Sequence, residues 1–137
     1  MAYGKFCERF LVDINNPKKS DVVVFNDTLE NIYKMLSVDV IDVAERQIGK
    51  HTYDIICDDE GLLKQNYPSA FDSKGKVQLV GSLLLVNHDE EGNFASLTEE
   101  QVQEIKENFR VCVVSNNEGE PRAYGALVNV EYIDYSA

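Results

Sequence analysis

The sequence of 137 residues contains no tryptophan, and it has only three prolines, two histidines and three cysteines. Cys7, Cys57 and Cys112 lie far apart, and none belongs to a CxxC or Cys/His pair, so a structural zinc site is not expected. Each cysteine has apolar or aromatic neighbours, which is typical of a reduced, buried thiol and favours a reducing cytoplasm. The sequence has no signal peptide and no apolar run of 18 residues, so it predicts neither secretion nor a membrane span.

Negative charge dominates the composition. The chain holds 24 acidic and 13 basic side chains, which gives a formal net charge of −11. Such a surface repels DNA and RNA phosphates, so direct nucleic-acid binding is not expected. The charge suits a protein that must stay soluble, or one that imitates nucleic acid. The length fits one domain over residues 1–137, and a hydrophobic fraction of 44% is enough for a folded core.

The sequence contains no recognisable catalytic or cofactor motif. Neither GxGxxG nor GxxxxGK[ST] occurs, so the usual phosphate-binding loops are missing. The Gly81-Ser82 pair does not satisfy GxSxG, the nucleophile motif of many hydrolases. His51 and His88 are expected at the surface, and the acids at 89–91 lack the spacing of a calcium-binding loop. We therefore expect a protein without enzyme activity, cofactor or metal.

Hydrophobic patterning predicts an α+β fold with a mainly antiparallel core of six to seven strands, decorated with two helices. The first helix is predicted over about residues 28–37, and Leu62–Phe71 is interpreted as a loop with one helical turn. Gly81 is expected to mark a bulge or a close backbone approach, and Gly125 a break in the last strand. The predicted strands are Phe6–Ile14, Val22–Phe25, Val38–Ala44, Tyr53–Cys57, Val77–Asn87, Arg110–Val114 and Arg122–Tyr135.

The second helix has the clearest start signal in the chain. Thr98 is predicted as its N-cap, with Gln101 as the capping-box partner three residues later. Leu97 and Val102 are spaced as a hydrophobic staple across that cap. The helix is expected to end near Phe109.

Six residues are candidates for binding a nucleotide-like ligand, which needs cations for its phosphates, a flat side chain for its base and polar groups for its ribose. They are Asn93, Phe94, Ser96, Arg110, Arg122 and Tyr124. Arg110 and Arg122 open neighbouring strands across a turn, and Phe94 lies between a turn and a helix start. Two alternatives stay open: each arginine can form a surface ion pair with one of the many acids, and Phe94 can pack under the helix.

Two segments, GKHTYDIICDDEGLLKQNYPSAF and VGSLLLVNHDEEGNFASLTEEQVQ, carry a family resemblance. The first joins a strand to an acidic turn that ends in glycine. The second joins an apolar run, an acidic turn and a Ser-Leu-Thr-acidic helix start. Over about residues 30–110 the chain resembles a domain of unknown function that is widespread in phages and mobile elements. Within that group it is most similar to the phage sponge proteins, of the first type described, that act against Thoeris defence.

The resemblance implies a non-catalytic protein that binds a cyclic ADP-ribose isomer and so blocks activation of the Thoeris effector. It also implies a homodimer or higher homo-oligomer in the cytoplasm of the infected host. Arginines would hold the pyrophosphate and an aromatic ring the base, roles that fall by residue type to Arg110, Arg122 and Phe94, with Asn93 near the ribose. The alternative is an acidic inhibitor that mimics nucleic acid and blocks a host defence nuclease. A hydrolase of the cyclic nucleotide is a third hypothesis, which no motif supports.

Overall fold

The computed structural model describes residues 6–13, 18, 20–26, 29–36, 38, 40–58, 67–115 and 118–133. Within these residues the chain forms two helices and eleven mostly antiparallel strands, which confirms the predicted α+β fold. The helices are α1 (Leu29–Leu36) and α2 (Glu99–Glu107). The strands are β1 (Phe6–Val12), β2 (Asp21–Asn26), β3 (Ile41–Ile48), β4 (His51–Asp58), β5 (Pro68–Phe71), β6 (Val77–Val80), β7 (Leu83–His88), β8 (Phe94–Ala95), β9 (Phe109–Ser115), β10 (Pro121–Leu127) and β11 (Val130–Glu131). Neither described helix is long and apolar enough to cross a membrane.

The strands form a large and a small sheet. The large sheet has the order β11-β3-β4-β7-β1-β2, with β8 paired to the end of β7. Its central strand joins distant parts of the chain, because Leu85 is paired with Ile55 on one side and with Phe10 on the other. The small sheet has the order β6-β5-β10-β9, and β5 and β10 run parallel where Ala70 meets Leu127.

The central strand β7 of the large sheet is buried on both faces, as its apolar run predicts. Leu83 and Leu85 point to a core that also holds Leu97 before α2, Ile105 of α2 and Leu127 of the small sheet. Leu84 and Val86 point to a second core on the opposite face. α1 covers that second core with Ile32 and Leu36. The large sheet is therefore the middle layer of the fold.

The predicted strand Val77–Asn87 is two strands that belong to different sheets. Gly81 separates them with a φ of 82°, a conformation that side chains other than glycine's rarely adopt. Its N–H donates to the carbonyl oxygen of Tyr67 at 3.0 Å. The chain thus leaves the small sheet at Val80 and enters the large sheet at Leu83.

Two short strands were not predicted. Pro68–Phe71 is strand β5 rather than part of a loop with a helical turn, because it pairs with β6 and β10. Phe94–Ala95 forms β8 against Asn87 and His88 of β7. β5 pairs with β10, which is far away in the sequence, and β8 has only two residues, too few to give a periodic pattern.

The prediction for the final strand is wrong in two respects, the break and the end of the strand. Gly125 does not interrupt β10, because it stays paired with Val111 of β9. The strand ends at Leu127, and the chain turns at Asn129, whose φ is 58°. β11 then pairs with β3 in the other sheet.

Neither cysteine whose side chain is described forms a disulfide. Cys57 is buried, as expected, whereas Cys112 is half-buried. The side chain of Cys7 lies outside the described part of the chain.

Candidate functional site

Arg110 and Arg122 lie on the same face of the β9–β10 hairpin. Arg122 is paired with Val114, and Cys112 and Tyr124 oppose each other between the two arginines. Opposed residues share a face and every second residue of a strand returns to it, so these four side chains line one side of the hairpin. We call this surface, made of Arg110, Cys112, Arg122 and Tyr124, the arginine face. The strand rise places its two arginines about 14 Å apart at their Cα atoms.

Neither arginine has an acidic partner within the described residues. Arg110 donates from Nη1 to the carbonyl oxygens of Glu107, at 2.7 Å, and Phe109, at 3.0 Å, so it closes the end of α2. Arg122 is exposed and makes no hydrogen bond or ion pair in this part of the chain. The surface ion pairs considered from the sequence are therefore not found there. Both guanidinium groups keep donors that can bind an anion.

Tyr124 is buried beneath Tyr67. The two rings stack with centroids 4.9 Å apart and an angle of 20° between their planes. Burial raises the pKa of Tyr124, and the neighbouring Cys112 and Tyr67 raise it further, so its hydroxyl stays protonated at neutral pH. Because Tyr67 is half-buried and Tyr124 is only 5% exposed, Tyr67 is the ring available for stacking on a ligand. Tyr124 supports Tyr67 from below.

Asn93 and Ser96 shape the short joint between β7 and α2. The N–H of Asn93 donates to Oδ1 of Asp89 at 2.9 Å, and its carbonyl oxygen accepts from the N–H of Asp89 at 2.8 Å. Ser96 Oγ accepts from the N–H of Glu8 at 3.1 Å, which ties the joint to β1. These contacts are all structural, and the side chain of Asn93 is exposed beyond them.

Phe94 follows Asn93 in β8, opposite His88. Its ring is 39% exposed, so it is neither packed fully under the helix nor fully in solvent. Sequence reasoning missed Arg9, which is completely buried and bonds to the residue that follows Phe94. Arg9 Nη1 donates to the carbonyl oxygen of Ala95 at 2.5 Å and to that of Glu8 at 3.1 Å. A buried arginine therefore fixes the joint from inside the sheet.

The six predicted residues form two separate groups. Asn93, Phe94 and Ser96 precede the N-cap Thr98, whereas Arg110 contacts the last turn of α2 and lies beside Arg122 and Tyr124. A nine-residue helix is about 14 Å long, and its whole length separates the groups. The structure brings together the arginines and Tyr124 but does not bring Phe94 to them.

Glu104 is the centre of a hydrogen-bond network that sequence reasoning missed. Its Oε2 accepts from the N–H of Lys50 at 2.8 Å. Its Oε1 accepts from the hydroxyl of Tyr53 at 2.7 Å and lies 2.9 Å from Nδ1 of His51. Burial raises the pKa of Glu104, but these donors outweigh burial and hold the pKa below its usual range. One signal in the sequence could have indicated this network: an acidic residue, Glu104, lies three positions after Gln101 on the buried side of α2.

An open groove of about 580 Å³ lies beside this network. Its lining includes four acids of α2, namely Glu99, Glu100, Glu104 and Glu107. This concentration of carboxylates repels anions, so the groove is a poor site for a phosphate-bearing ligand. Among the described residues no group of three or more His, Cys, Asp and Glu side chains is arranged to hold a metal ion.

Comparison with known proteins identifies a family. No curated protein and no solved structure matches the chain. The model of a family described as "Domain of unknown function (DUF3846)" matches residues 9–110. The match runs from β1 to the start of β9, so it includes Arg110 as its last residue and leaves Arg122 and Tyr124 outside. Because it covers more than half of the chain, this protein belongs to the DUF3846 family.

Proposed function

We propose that the protein binds a small anionic nucleotide on the arginine face and sequesters it without chemical change. The observation that carries this proposal is the pair Arg110 and Arg122, which share one face and have no acidic partner among the described residues. In a chain with a net charge of −11, acids are abundant, and two cations on one face without an acidic partner among the described residues are the local exception. Such an arrangement suits a pyrophosphate, which can accept hydrogen bonds from both guanidinium groups.

The neighbouring aromatic pair supports a ligand that also carries a flat base. Tyr67 stacks on Tyr124, which holds its ring in place before any ligand arrives. A base stacked on a supported aromatic ring gains about 1 to 3 kcal/mol. Phosphate and base recognition would then come from one continuous surface.

The resemblance to phage sponge proteins supports a cyclic ADP-ribose isomer as the ligand. Sequestration requires high affinity and no reaction, and a nanomolar dissociation constant corresponds to about 12 kcal/mol. A compact cyclic ligand loses little internal entropy on binding, which favours such an affinity. In this role the protein acts in the cytoplasm of an infected bacterium and prevents activation of the Thoeris effector.

Calorimetry with purified protein and cyclic ADP-ribose isomers tests the proposal. We expect tight binding, a higher melting temperature with ligand, and release of unchanged nucleotide after heating, as measured by mass spectrometry. Arg122→Ala should weaken binding about 10- to 150-fold, because a hydrogen bond to a charged group contributes about 1.5 to 3 kcal/mol.

Lys34→Ala is the matched control, since it also removes one exposed positive charge. Lys34 lies on α1, where it pairs with Glu30 on the far side of the large sheet. Equal losses in the two variants would mean that net charge, not the arginine face, controls binding. Absence of binding to the unmodified protein, or recovery of a hydrolysed nucleotide, would contradict the proposal.

A further inference from the structure

β9 is an outer strand with an exposed apolar side. It ends the small sheet, and within the described residues no strand pairs with its outer edge. Val111 and Val113 expose 59% and 68% of their surface, on the side of the hairpin opposite to the arginine face. Long apolar outer strands pair with other strands unless something protects them.

Side chains bond to the main chain along the uncovered parts of β2 and β3 in the large sheet, as Arg110 does at the first residue of β9, Phe109. In β2, Oδ1 of Asp21 accepts from the next N–H at 2.7 Å, and in β3, Oδ1 of Asp42 does the same at 2.9 Å. Arg46 of β3 also donates from Nη1 to the carbonyl oxygen of Glu45 at 2.8 Å. These side chains occupy main-chain groups that an added strand would need. Within the described part of the chain, no side chain bonds to the main chain of residues 111–115.

The two ends of β9 carry opposite charge. Arg110 lies at its start, and the turn that follows its last residue carries Glu118 and Glu120. Two β9 strands paired antiparallel about a two-fold axis would bring the basic end of each to the acidic end of the other. Residues 111–115 between these ends are uncharged, so the pairing creates no repulsion along its length.

We infer that β9 is a self-association edge, which pairs with β9 of a second copy and joins two small sheets into one. The favoured register places Cys112 on the two-fold axis. Val111 of each copy then lies opposite Val113 of the other copy. β-branched cross-strand pairs stabilise such a contact. The inference does not depend on the ligand proposed above: Arg110 and Cys112 belong to the arginine face, but the pairing uses the main-chain edge of β9 together with Val111 and Val113 on the opposite side.

Sedimentation velocity of the full chain over a wide concentration range tests the surface. We expect a reversible dimer, and Val113→Lys should raise its dissociation constant at least about tenfold, since a lysine on an outer strand blocks pairing. Val24→Lys is the matched control, because Val24 is 58% exposed on the outer strand β2. A chain that stays monomeric at every concentration, or a dimer weakened equally by both variants, would overturn the inference.

Mild oxidation with diamide tests the register. Directly opposed residues of antiparallel strands have Cα atoms about 4.5 to 5.5 Å apart, which a disulfide can bridge. We expect a covalent dimer linked through Cys112, and Cys112→Ser should abolish the link but keep the reversible dimer. A dimer in solution that gives no Cys112–Cys112 disulfide would contradict this pairing of β9.

Discussion

Glu104→Gln is the substitution with the clearest expected effect on stability. The carboxylate joins α2 to the β3–β4 hairpin by accepting from the Lys50 N–H, the Tyr53 hydroxyl and the His51 ring. A glutamine amide keeps one acceptor oxygen but places an NH2 group against one of these three donors. One hydrogen bond is lost, and the other two change from charged to neutral.

The size of the loss follows from the type of hydrogen bond. Bonds to a charged group contribute about 1.5 to 3 kcal/mol, and neutral bonds about 0.5 to 1.5 kcal/mol. The Lys50 N–H is exposed, and water can replace its partner. We therefore expect Glu104→Gln to lower the free energy of unfolding by about 1 to 3 kcal/mol at neutral pH.

The loss should shrink in acid. The pKa of Glu104 lies below its ordinary value of 4.5 in the folded protein, so the carboxylate is bound more favourably than its protonated form. Its contribution is complete at pH values above 4.5 and disappears as the pH falls through the lower, folded pKa. Near pH 3 the unmodified protein and the variant should therefore differ less than they do at neutral pH.

Urea unfolding at neutral and acidic pH measures this difference. Glu107→Gln serves as the control, because Glu107 is exposed on the same helix and its carboxylate accepts, among the described residues, a single hydrogen bond, from Gln103 Nε2 at 3.3 Å. It should change stability by less than about 0.5 kcal/mol. The reasoning fails if the two variants are equally stable, or if the loss in Glu104→Gln is the same at both pH values.

Two further substitutions test packing and capping. A Cβ at Gly125 would lie 2.7 Å from Cε1 of Phe109, so Gly125→Ala should cost about 1 to 3 kcal/mol by urea unfolding, and adding Phe109→Leu should recover part of that loss. An alanine that leaves stability unchanged would show that the ring moves freely. Thr98→Ala should lower the free energy of unfolding by about 1 kcal/mol in the same assay. Gln101→Ala should then destabilise the Thr98→Ala variant less than it destabilises the unmodified protein, because both residues belong to one capping box. Fully additive losses would contradict that coupling.

Local signals in the sequence predicted the parts of the fold that depend on few neighbours. The capping box of Thr98 and Gln101 is present as expected, since all of its bonds lie within four residues. By contrast, the Gly81 position was identified, but its role was not, because passage between two sheets depends on partners elsewhere in the chain.

The candidate site was only partly predictable for the same reason. Arg110 and Arg122 lie on the two strands of one hairpin, so the local sequence is enough to place them on the same small surface. Phe94 is separated from them by a helix, whose direction no local pattern reveals. Tyr67 and Arg9 were missed because their partners, Tyr124 and Ala95, are far away in the sequence.

The position of β7 has a consequence for the order of folding. Its residue Leu85 is flanked by Phe10 and Ile55, so the large sheet stays divided until the chain has been made as far as β7. A chain emerging from the ribosome can form the β1–β2 and β3–β4 hairpins early, but each would have an apolar edge without its neighbour. Closing the sheet requires contacts of long sequence separation, which are slow to form. The nascent protein therefore exposes two aggregation-prone edges until a single late strand covers both.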